Sequence, residues 1–415
     1  MRVLYLNTSG QMGGAETSLA GLMEGLRRLH PEWHLSLLLG EEGPFAACAA
    51  ELGVAVQVLP FPRGLARLGC SAGIGLGWAW KALSSAGGAL RYRNQLNAAV
   101  RGICPDVIHA NGLKMHVLAS SISRRGSGRR DVRVCHVHDY VSSRPVARWL
   151  LKASVRRFDR VVANSNSVAA DLLALPVPRR RLSAIYNGIQ LDRFTSGGEK
   201  LDLDRLSGLG KTRAGVVRVG LVATFAKWKG HITFMRALAL LPKSLNIRAY
   251  VIGGPIYRTS GSQHTFGELR EAAEEYCPGA ELGFTGVVST AEAAFRSLDI
   301  VVHASTGPEP FGMVIIEAMA CEKAVIVSSG GGASEVFEDG VTALAHNPGD
   351  AAMLARQIER LASDAQLRLR LGKNGRAAVA DRFPAGAMAA RFADLYCSLA
   401  AGNEAGAYAG SGGRK

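Results

Sequence analysis

The 415-residue sequence has no stretch of ~18 uncharged apolar residues, the length a helix needs to cross a bilayer, so no helix is expected to span a membrane. Its seven cysteines, at 48, 70, 104, 135, 277, 321 and 397, are odd in number and scattered, with no Cys-x-x-Cys pair. That pattern argues against a disulfide framework or a zinc knuckle and fits a reduced, cytoplasmic protein. The opening Met1-Arg2-Val3-Leu4-Tyr5-Leu6 gives way at once to Asn, Thr, Ser and Gly, so it reads as a first strand rather than a signal peptide. The turn after it lacks the Gly-x-Gly-x-x-Gly spacing of a dinucleotide site. Asp202-Leu203-Asp204 has no apolar strand before it and reads as chance, so no metal is expected. Acid is scarce in one half: residues 1–200 hold 13 Asp and Glu against 26 Lys and Arg, while residues 201–415 hold 21 against 23. Such a basic half implies an acidic partner, whether nucleic acid, an anionic membrane surface or a phosphorylated substrate. The basic groups lack interleaved aromatics and any nucleic-acid recognition motif, which disfavours the first of these.

What is present alternates short apolar runs with helical stretches, the βαβ rhythm of parallel sheets, over a length suited to two domains of roughly 200 residues. The first run, Arg2 to Asn7, enters Thr8-Ser9-Gly10-Gln11-Met12-Gly13-Gly14-Ala15-Glu16 and then a helix. Gly13 and Gly14 there would let backbone N–H groups approach a ligand. Runs at 106–112 and 132–139 end in polar groups. Because ligands of open α/β sheets lie beyond the carboxyl ends of strands, His109, Asn111, His138 and Asp139 are candidate acceptor-side residues. Residues 63–100 mix Leu, Ile and Trp with Arg, Lys and many glycines, and fit either a helical connection packed on the sheet or a surface that touches a membrane. The helix after Pro145 carries Arg144, Arg148, Lys152, Arg156 and Arg160 beside an apolar side. With Arg124-Arg125, Arg129-Arg130 and Arg179-Arg180-Arg181 it favours an anionic membrane as partner. Residues 196–214 read as a linker, residues 215–382 as a second βα series, 383–400 as a helix returning to the N-terminal domain (1–195), and 401–415 as a disordered tail.

The stretch from Val301 to Asn347 carries the densest chemistry. A buried strand ends near Ser305, Pro310 bars a helix before it, and Gly312 to Cys321 has helical composition. Glu309 therefore sits in a strand-to-helix loop and Glu317 on the helix, up to ~12 Å further along. The first-turn N–H groups form a place for an anion or an electron-rich oxygen. Two isolated glutamates would read as solvated surface groups; their company changes that.

Taken together, Gly13-Gly14-Ala15-Glu16, Asn187-Gly188-Ile189 with Phe194, Trp228-Lys229-Gly230, and Glu309 to Glu317 running on through Gly330-Gly331, Glu335-Val336 and Asp339-Gly340 resemble the retaining glycosyltransferases of family 4, also called group 1. The resemblance covers the chain to about residue 400 and implies the GT-B fold, two Rossmann-like, doubly wound parallel-sheet domains facing a cleft. It implies transfer of a sugar from a UDP- or GDP-sugar to a hydroxyl of a glycan or lipid-linked glycan, with retention, no cofactor and no metal. Lys229 would neutralise the donor diphosphate, Glu309 contact the sugar and Glu317 the ribose. Phe311, Gly312 and Met313 would offer backbone N–H groups, Gly13 and Gly14 would close on the diphosphate, and Thr224, Gly253 and Val287 would complete the donor side. His109 and His138 would line the acceptor side and, with Lys229 and Glu309, form the catalytic set. Departures are Thr224 where the family often has Arg, Asn111 where it commonly has His, and Glu322 and Ala324 in place of the usual Gly and Pro. A nucleotide-sugar epimerase of the same architecture is the alternative, and a basic nucleic-acid-binding module a weaker one.

Overall fold

The computed structural model describes residues 1–62, 86–123, 131–256 and 262–410. The chain divides into two compact units, Met1–Gly188 with Ala385–Lys415, and Ile189–Pro384. No helix among the described residues is long and apolar enough to cross a membrane.

In the first unit, strands β1 (Arg2–Asn7), β2 (His34–Leu39), β3 (Ala55–Val58), β4 (Val107–Asn111), β5 (Val132–Val137), β6 (Arg160–Ala163) and β7 (Leu182–Ala184) form one sheet in the order β3-β2-β1-β4-β5-β6-β7. Every pairing is parallel. Parallel strands need crossover helices, and those helices cover both faces, so the strands can be apolar on both sides. Alternate residues of β1 do this: Leu4 and Leu6 join one core cluster, Val3 and Tyr5 the other. Helices α1 (Gly14–Leu29), α2 (Pro44–Glu51), α3 (Ala86–Ile103), α4 (Leu113–Ser121), α5 (Pro145–Ser154) and α6 (Asn166–Leu172) make the connections. Of the ambiguous region 63–100, residues 63–85 lie outside the described residues; the remainder is α3, whose Tyr92, Leu96 and Val100 are core. The Arg124-Arg125 and Arg129-Arg130 pairs also lie outside.

The second unit opens with α7 (Leu203–Ser207), so residues 196–214 are not a bare linker. Asp202 caps this helix by accepting from the Arg205 N–H at 3.0 Å. Asp204 accepts from Arg248 at 2.8 Å, from the Tyr250 hydroxyl at 2.6 Å and from Thr212, and pairs with Arg218. The Asp-x-Asp that read as chance thus anchors the helix to the sheet. Strands β8 (Val217–Val222), β9 (Ile247–Ile252), β10 (Leu282–Gly286), β11 (Ile300–His303), β12 (Ala324–Ser328) and β13 (Leu344–His346) follow in the order β10-β9-β8-β11-β12-β13, again all parallel. Their crossovers are α8 (His231–Ala239), α9 (Phe266–Tyr276), α10 (Ala291–Arg296) and α11 (Met313–Ala320), with α12 (Ala351–Ser363) and α13 (Ala365–Arg382) after β13.

The last helix, α14 (Ala385–Gly410), belongs to the first unit, where Phe392 and Tyr396 share a cluster with Leu22, Leu26 and Trp33 of α1 and its neighbourhood. It continues through much of the expected tail; residues 411–415 lie outside the described residues. In both sheets strand order runs outward in opposite directions from one central pair, β1/β4 and β8/β11. That reversal opens a crevice at the carboxyl ends of the central strands.

Candidate functional site

At the β8/β11 reversal, the loop after β8 delivers Lys229 and the loop after β11 delivers Glu309. Lys229 ends a short 3-10 turn closed by Gly230 at φ 79°, and a Cβ there would lie 1.8 Å from the Ala304 carbonyl oxygen. Only glycine fits, so β11 packs against this turn and draws Lys229 to the strand end. The Lys229 Nζ donates to Glu309 Oε2 at 2.7 Å and sits 4.0 Å from the centroid of the Trp228 ring. Ser305 Oγ donates to the same Oε2 at 2.9 Å, and His303 Nε2 lies 3.1 Å from it. The Glu309 backbone is fixed against the glycine run: its N–H donates to the Gly330 carbonyl at 3.1 Å and it bridges Gly331. Burial opposes ionisation of this carboxyl, but the Lys229 ammonium and His303 overcome it and hold the group well below the usual carboxylate range.

Two helices begin beside the pair. Gly230 precedes α8 and Gly312, at φ 96°, precedes α11; neither start has a side-chain cap. Four other helices of this unit are capped by the Asp202, Thr265, Asp350 and Asp364 side chains, while α10 after Thr290 is not. Open first-turn N–H groups beside an ammonium suit an anion with several oxygens. Phe311 supplies only backbone here, since its ring is buried against Phe383. Glu317, one face along α11, is half-buried, and its carboxylate has no hydrogen-bond partner among the described residues. Burial pushes it up to about 7; Arg193 draws it down and Glu292, paired with Arg193 at 3.0 Å, pushes it up. Thr224 is half-buried just after β8, Gly253 ends β9 with its N–H on the Gly286 carbonyl at 3.0 Å, and Val287 after β10 is exposed. Thus Lys229, Glu309, Gly312 and Met313 come together at one strand-end crevice, with Thr224, Gly253 and Val287 along the same sheet edge.

His303 and Ser305 were not foreseen as site residues. The signal was available: both lie at the end of a strand, the rule that singled out His109 and His138. Among the described residues no group of three His, Cys, Asp or Glu is placed to hold a metal ion.

In the first unit the β1/β4 reversal brings together Gly13, Asn111 and His138, with Asn7 and Glu16 unforeseen between them. Asn111 donates to Asn7 Oδ1 at 2.9 Å, and His138 Nε2 lies 2.5 Å from Asn111 Oδ1. Asp139 is tied to Arg144 at 2.6 Å. Three expectations need correction. Asn111 does not line the acceptor side, being 1% exposed with both ends of its amide engaged by Asn7 and His138. Gly13 does not hold its N–H open, because Glu16 Oε2 takes it at 3.2 Å, leaving Gly14 as the exposed glycine of the loop. His109 does not line an acceptor surface. It is wholly buried between Tyr5 and Phe392, with Nδ1 2.6 Å from the Tyr396 hydroxyl and Nε2 3.2 Å from His136. Burial, followed by the charges of His138 and His116, holds it well below the ordinary histidine range, so it stays a neutral core group.

The outer face of α5 exposes Arg148, Trp149 and Lys152, and the 3-10 turn after it exposes Arg156, with no acidic residue on the helix; Trp149 is 55% exposed. The exposed Arg179 and Arg180 and the half-buried Arg181 follow, where Arg160 donates to the Arg180 carbonyl at 3.0 Å and Arg181 to the Phe158 carbonyl at 3.4 Å.

Two doubly wound parallel sheets, one with a Lys–Glu pair and glycine-started helices at its strand reversal, define the GT-B class. Two family models match complementary parts of the chain, "Glycosyltransferase Family 4" over residues 12–193 and "Glycosyl transferases group 1" over residues 214–378. The chain belongs to this family of group 1, family 4 glycosyltransferases. An uncharacterised glycosyltransferase of Methanocaldococcus jannaschii is 26% identical over 234 residues, covering 56% of each chain. The matched stretch therefore spans little more than half the length of that relative. The N-acetyl-alpha-D-glucosaminyl L-malate synthase of Bacillus anthracis is 22% identical over 296 residues, 70% of this chain and 74% of its own. Among solved structures, Anabaena HepE in complex with UDP-glucose superposes with a TM-score of 0.76 at 24% identity, over 96% of this chain and 100% of that one.

Proposed function

We propose that the protein transfers a sugar from a nucleoside diphosphate sugar to a hydroxyl of a glycan or lipid-linked glycan, with retention at the anomeric carbon and without a metal. The observation that carries this reading is the Lys229–Glu309 pair at the β8/β11 reversal, beside two helix starts with no side-chain cap. In the proposed reaction the diphosphate lies at those N–H groups and takes Lys229 as counter-ion. The bond from the anomeric carbon to the leaving phosphate oxygen breaks, the acceptor oxygen bonds to the same face, and the departing diphosphate takes the acceptor proton. Negative charge grows on the leaving group in the transition state, so a fixed ammonium and oriented N–H groups accelerate the step. Glu309, freed of part of its bond to Lys229, receives sugar hydroxyls, and Glu317 receives ribose hydroxyls. Neither carboxylate acts as nucleophile or acid, unlike the pair of a glycosidase.

UDP is the favoured base carrier, supported by the UDP-glucose complex of HepE. A thermal-shift screen against UDP-, GDP- and ADP-sugars tests this, since a ligand at about 100 times its Kd adds ~2.7 kcal/mol. Stabilisation by one of them, followed by EDTA-resistant transfer to an added glycan acceptor, is the expected result. No stabilisation by any, or release of an altered free sugar nucleotide without an acceptor, would overturn the reading.

The acceptor is proposed to be presented at an anionic membrane surface, docked on the α5 face. Trp149 flanked by Arg148, Lys152 and Arg156 combines a headgroup-level aromatic with charge complementarity. At low salt the protein should sediment with phosphatidylglycerol vesicles and not with phosphatidylcholine ones, and Trp149→Ala with Lys152→Ala should release it. Equal recovery with both lipids, or tighter binding to RNA than to vesicles, would sink the idea.

A further inference from the structure

The hydrogen bonds of the first unit form a directed chain whose sense can be worked out residue by residue. Asn7 Nδ2 lies 2.8 Å from the Ser9 carbonyl oxygen and 3.1 Å from Glu16 Oε1. A carbonyl and a carboxylate only accept, so the Asn7 amide must present its NH2 to them and its oxygen to the other side. That oxygen faces Asn111, which therefore donates, at 2.9 Å. With its NH2 so engaged, Asn111 turns its own oxygen to His138 Nε2 at 2.5 Å. A carbonyl oxygen at that distance requires a proton on Nε2. A neutral imidazole carries one N–H, so Nδ1 of His138 is left as a bare lone pair. That Nδ1 is buried and has no hydrogen-bond partner among the described residues. Asn7, Glu16 and Asn111 are themselves buried, at 2%, 7% and 1% exposure, so water does not compete for the chain.

We infer that the Ser9 carbonyl, with Glu16 beside it, acts through Asn7 and Asn111 to fix His138 in the Nε2–H tautomer, so that Nδ1 is held as an acceptor for a sugar hydroxyl. Glu16, Asn7 and Asn111 are positioning residues. They touch no substrate and act by deciding which ring nitrogen is free. The hydroxyl as ligand rests on the proposed glycosyl-transfer reading; the tautomer does not. The chain begins at the residue whose carboxylate also takes the Gly13 N–H at 3.2 Å, so the glycine loop and the histidine are set by one group. An unpaired buried acceptor favours a ligand that brings a donor and rejects a deoxy analogue that does not, a discrimination that polar sites make strongly.

The test is ¹⁵N NMR of the full chain labelled at histidine, which separates the two neutral tautomers and the imidazolium. Wild-type His138 should be the neutral Nε2–H form throughout pH 6 to 8. In Asn111→Asp, a carboxylate replaces the carbonyl, so His138 should become protonated near neutrality and Nδ1 should turn from acceptor to donor. Transfer by that variant should be reduced about tenfold or more at pH 6 and recover as pH rises, while the donor KM stays at the wild-type value. A wild-type Nδ1–H tautomer would overturn the inference without any variant, and so would an Asn111→Asp protein with a wild-type spectrum and pH profile. If Asn111→Asp does not fold, the wild-type spectrum decides alone. Absence of transfer with a correct tautomer would count against the glycosyl-transfer reading and not against the relay.

Discussion

Replacing Lys229 with Met removes the ammonium and keeps most of the stem that covers Trp228. The Nζ–Oε2 separation is 2.7 Å, and the two side chains are 19% and 9% exposed. At an effective dielectric constant of 20 the Coulomb attraction at that separation is roughly 6 kcal/mol. Desolvation offsets part of it, and breaking a buried pair from one side is measured at about 3 to 5 kcal/mol. Ser305 and His303 still hold Glu309 Oε2 in the variant, so the lower end, about 3 kcal/mol at pH 7, is expected. The sign with pH follows from Glu309. In the wild type its folded value is lowered from 4.5, so its contribution is present above that pH and lost as pH falls through the folded value. Without Lys229 the opposing effect of burial is no longer overcome by the ammonium, and the carboxyl should take up a proton on acidification from pH 7 to 5, relieving the stranded charge. Urea unfolding of both proteins should therefore show a gap that is wide at pH 7 and narrows toward pH 5. Glu309→Gln in the Lys229→Met background should recover part of the stability and none of the activity. Equal unfolding midpoints at pH 7, or a gap that does not change with pH, would refute the reasoning.

Glu317, pushed up to about 7, should make nucleotide binding pH-dependent: UDP affinity should rise by up to about tenfold from pH 6 to pH 8 as the carboxylate proposed to receive the ribose hydroxyls ionises, and Glu317→Gln should flatten that profile in calorimetry. Asp204→Asn should cost about 3 kcal/mol at neutral pH, because Arg248, only 5% exposed, loses one of its two carboxylate partners and keeps only Glu281 at 2.8 Å. Burial raises Asp204, yet bonds from Thr212, Tyr250 and Arg248 overcome it and lower it from 3.8, so the cost should fade as urea unfolding is repeated toward pH 2. Nucleotide affinity of folded Asp204→Asn should be unchanged, since Arg248 lies at the start of β9, the opposite edge from the site.

Much of the architecture was legible because parallel strands buried on both faces leave continuous apolar runs. The run Arg2–Asn7 has the bounds that the sequence suggests, those at 106–112 and 132–139 contain Val107–Asn111 and Val132–Val137, and the helix expected over 312–321 is Met313–Ala320. Leu344–His346 was not legible: three residues give no periodicity, and the strand exists through its pairing with β12. Glu309 and Lys229 could be named from local motifs, but their direct bond joins positions 80 apart in the chain. His109 shows the reverse failure. Strand-end polarity pointed it toward a ligand, whereas the helix that buries it arrives only from Ala385 onward, far outside any local window.

The helix starts have a consequence for engineering. Five helices that follow strand ends begin at Gly13, Gly43, Gly112, Gly230 and Gly312, none with a side-chain cap. Glycine in place of Asp or Ser costs only a few tenths of a kcal/mol at such a position. An aspartate would occupy the same N–H groups and set a negative charge where a phosphate is proposed to lie. At Gly312, besides straining a backbone at φ 96°, such an aspartate would act as a tethered competitor of the proposed donor, and at Gly230 the Ala304 carbonyl leaves no room for its Cβ at all. Efforts to harden this protein should leave those two starts blank and work from the amino-terminal edge of the sheets.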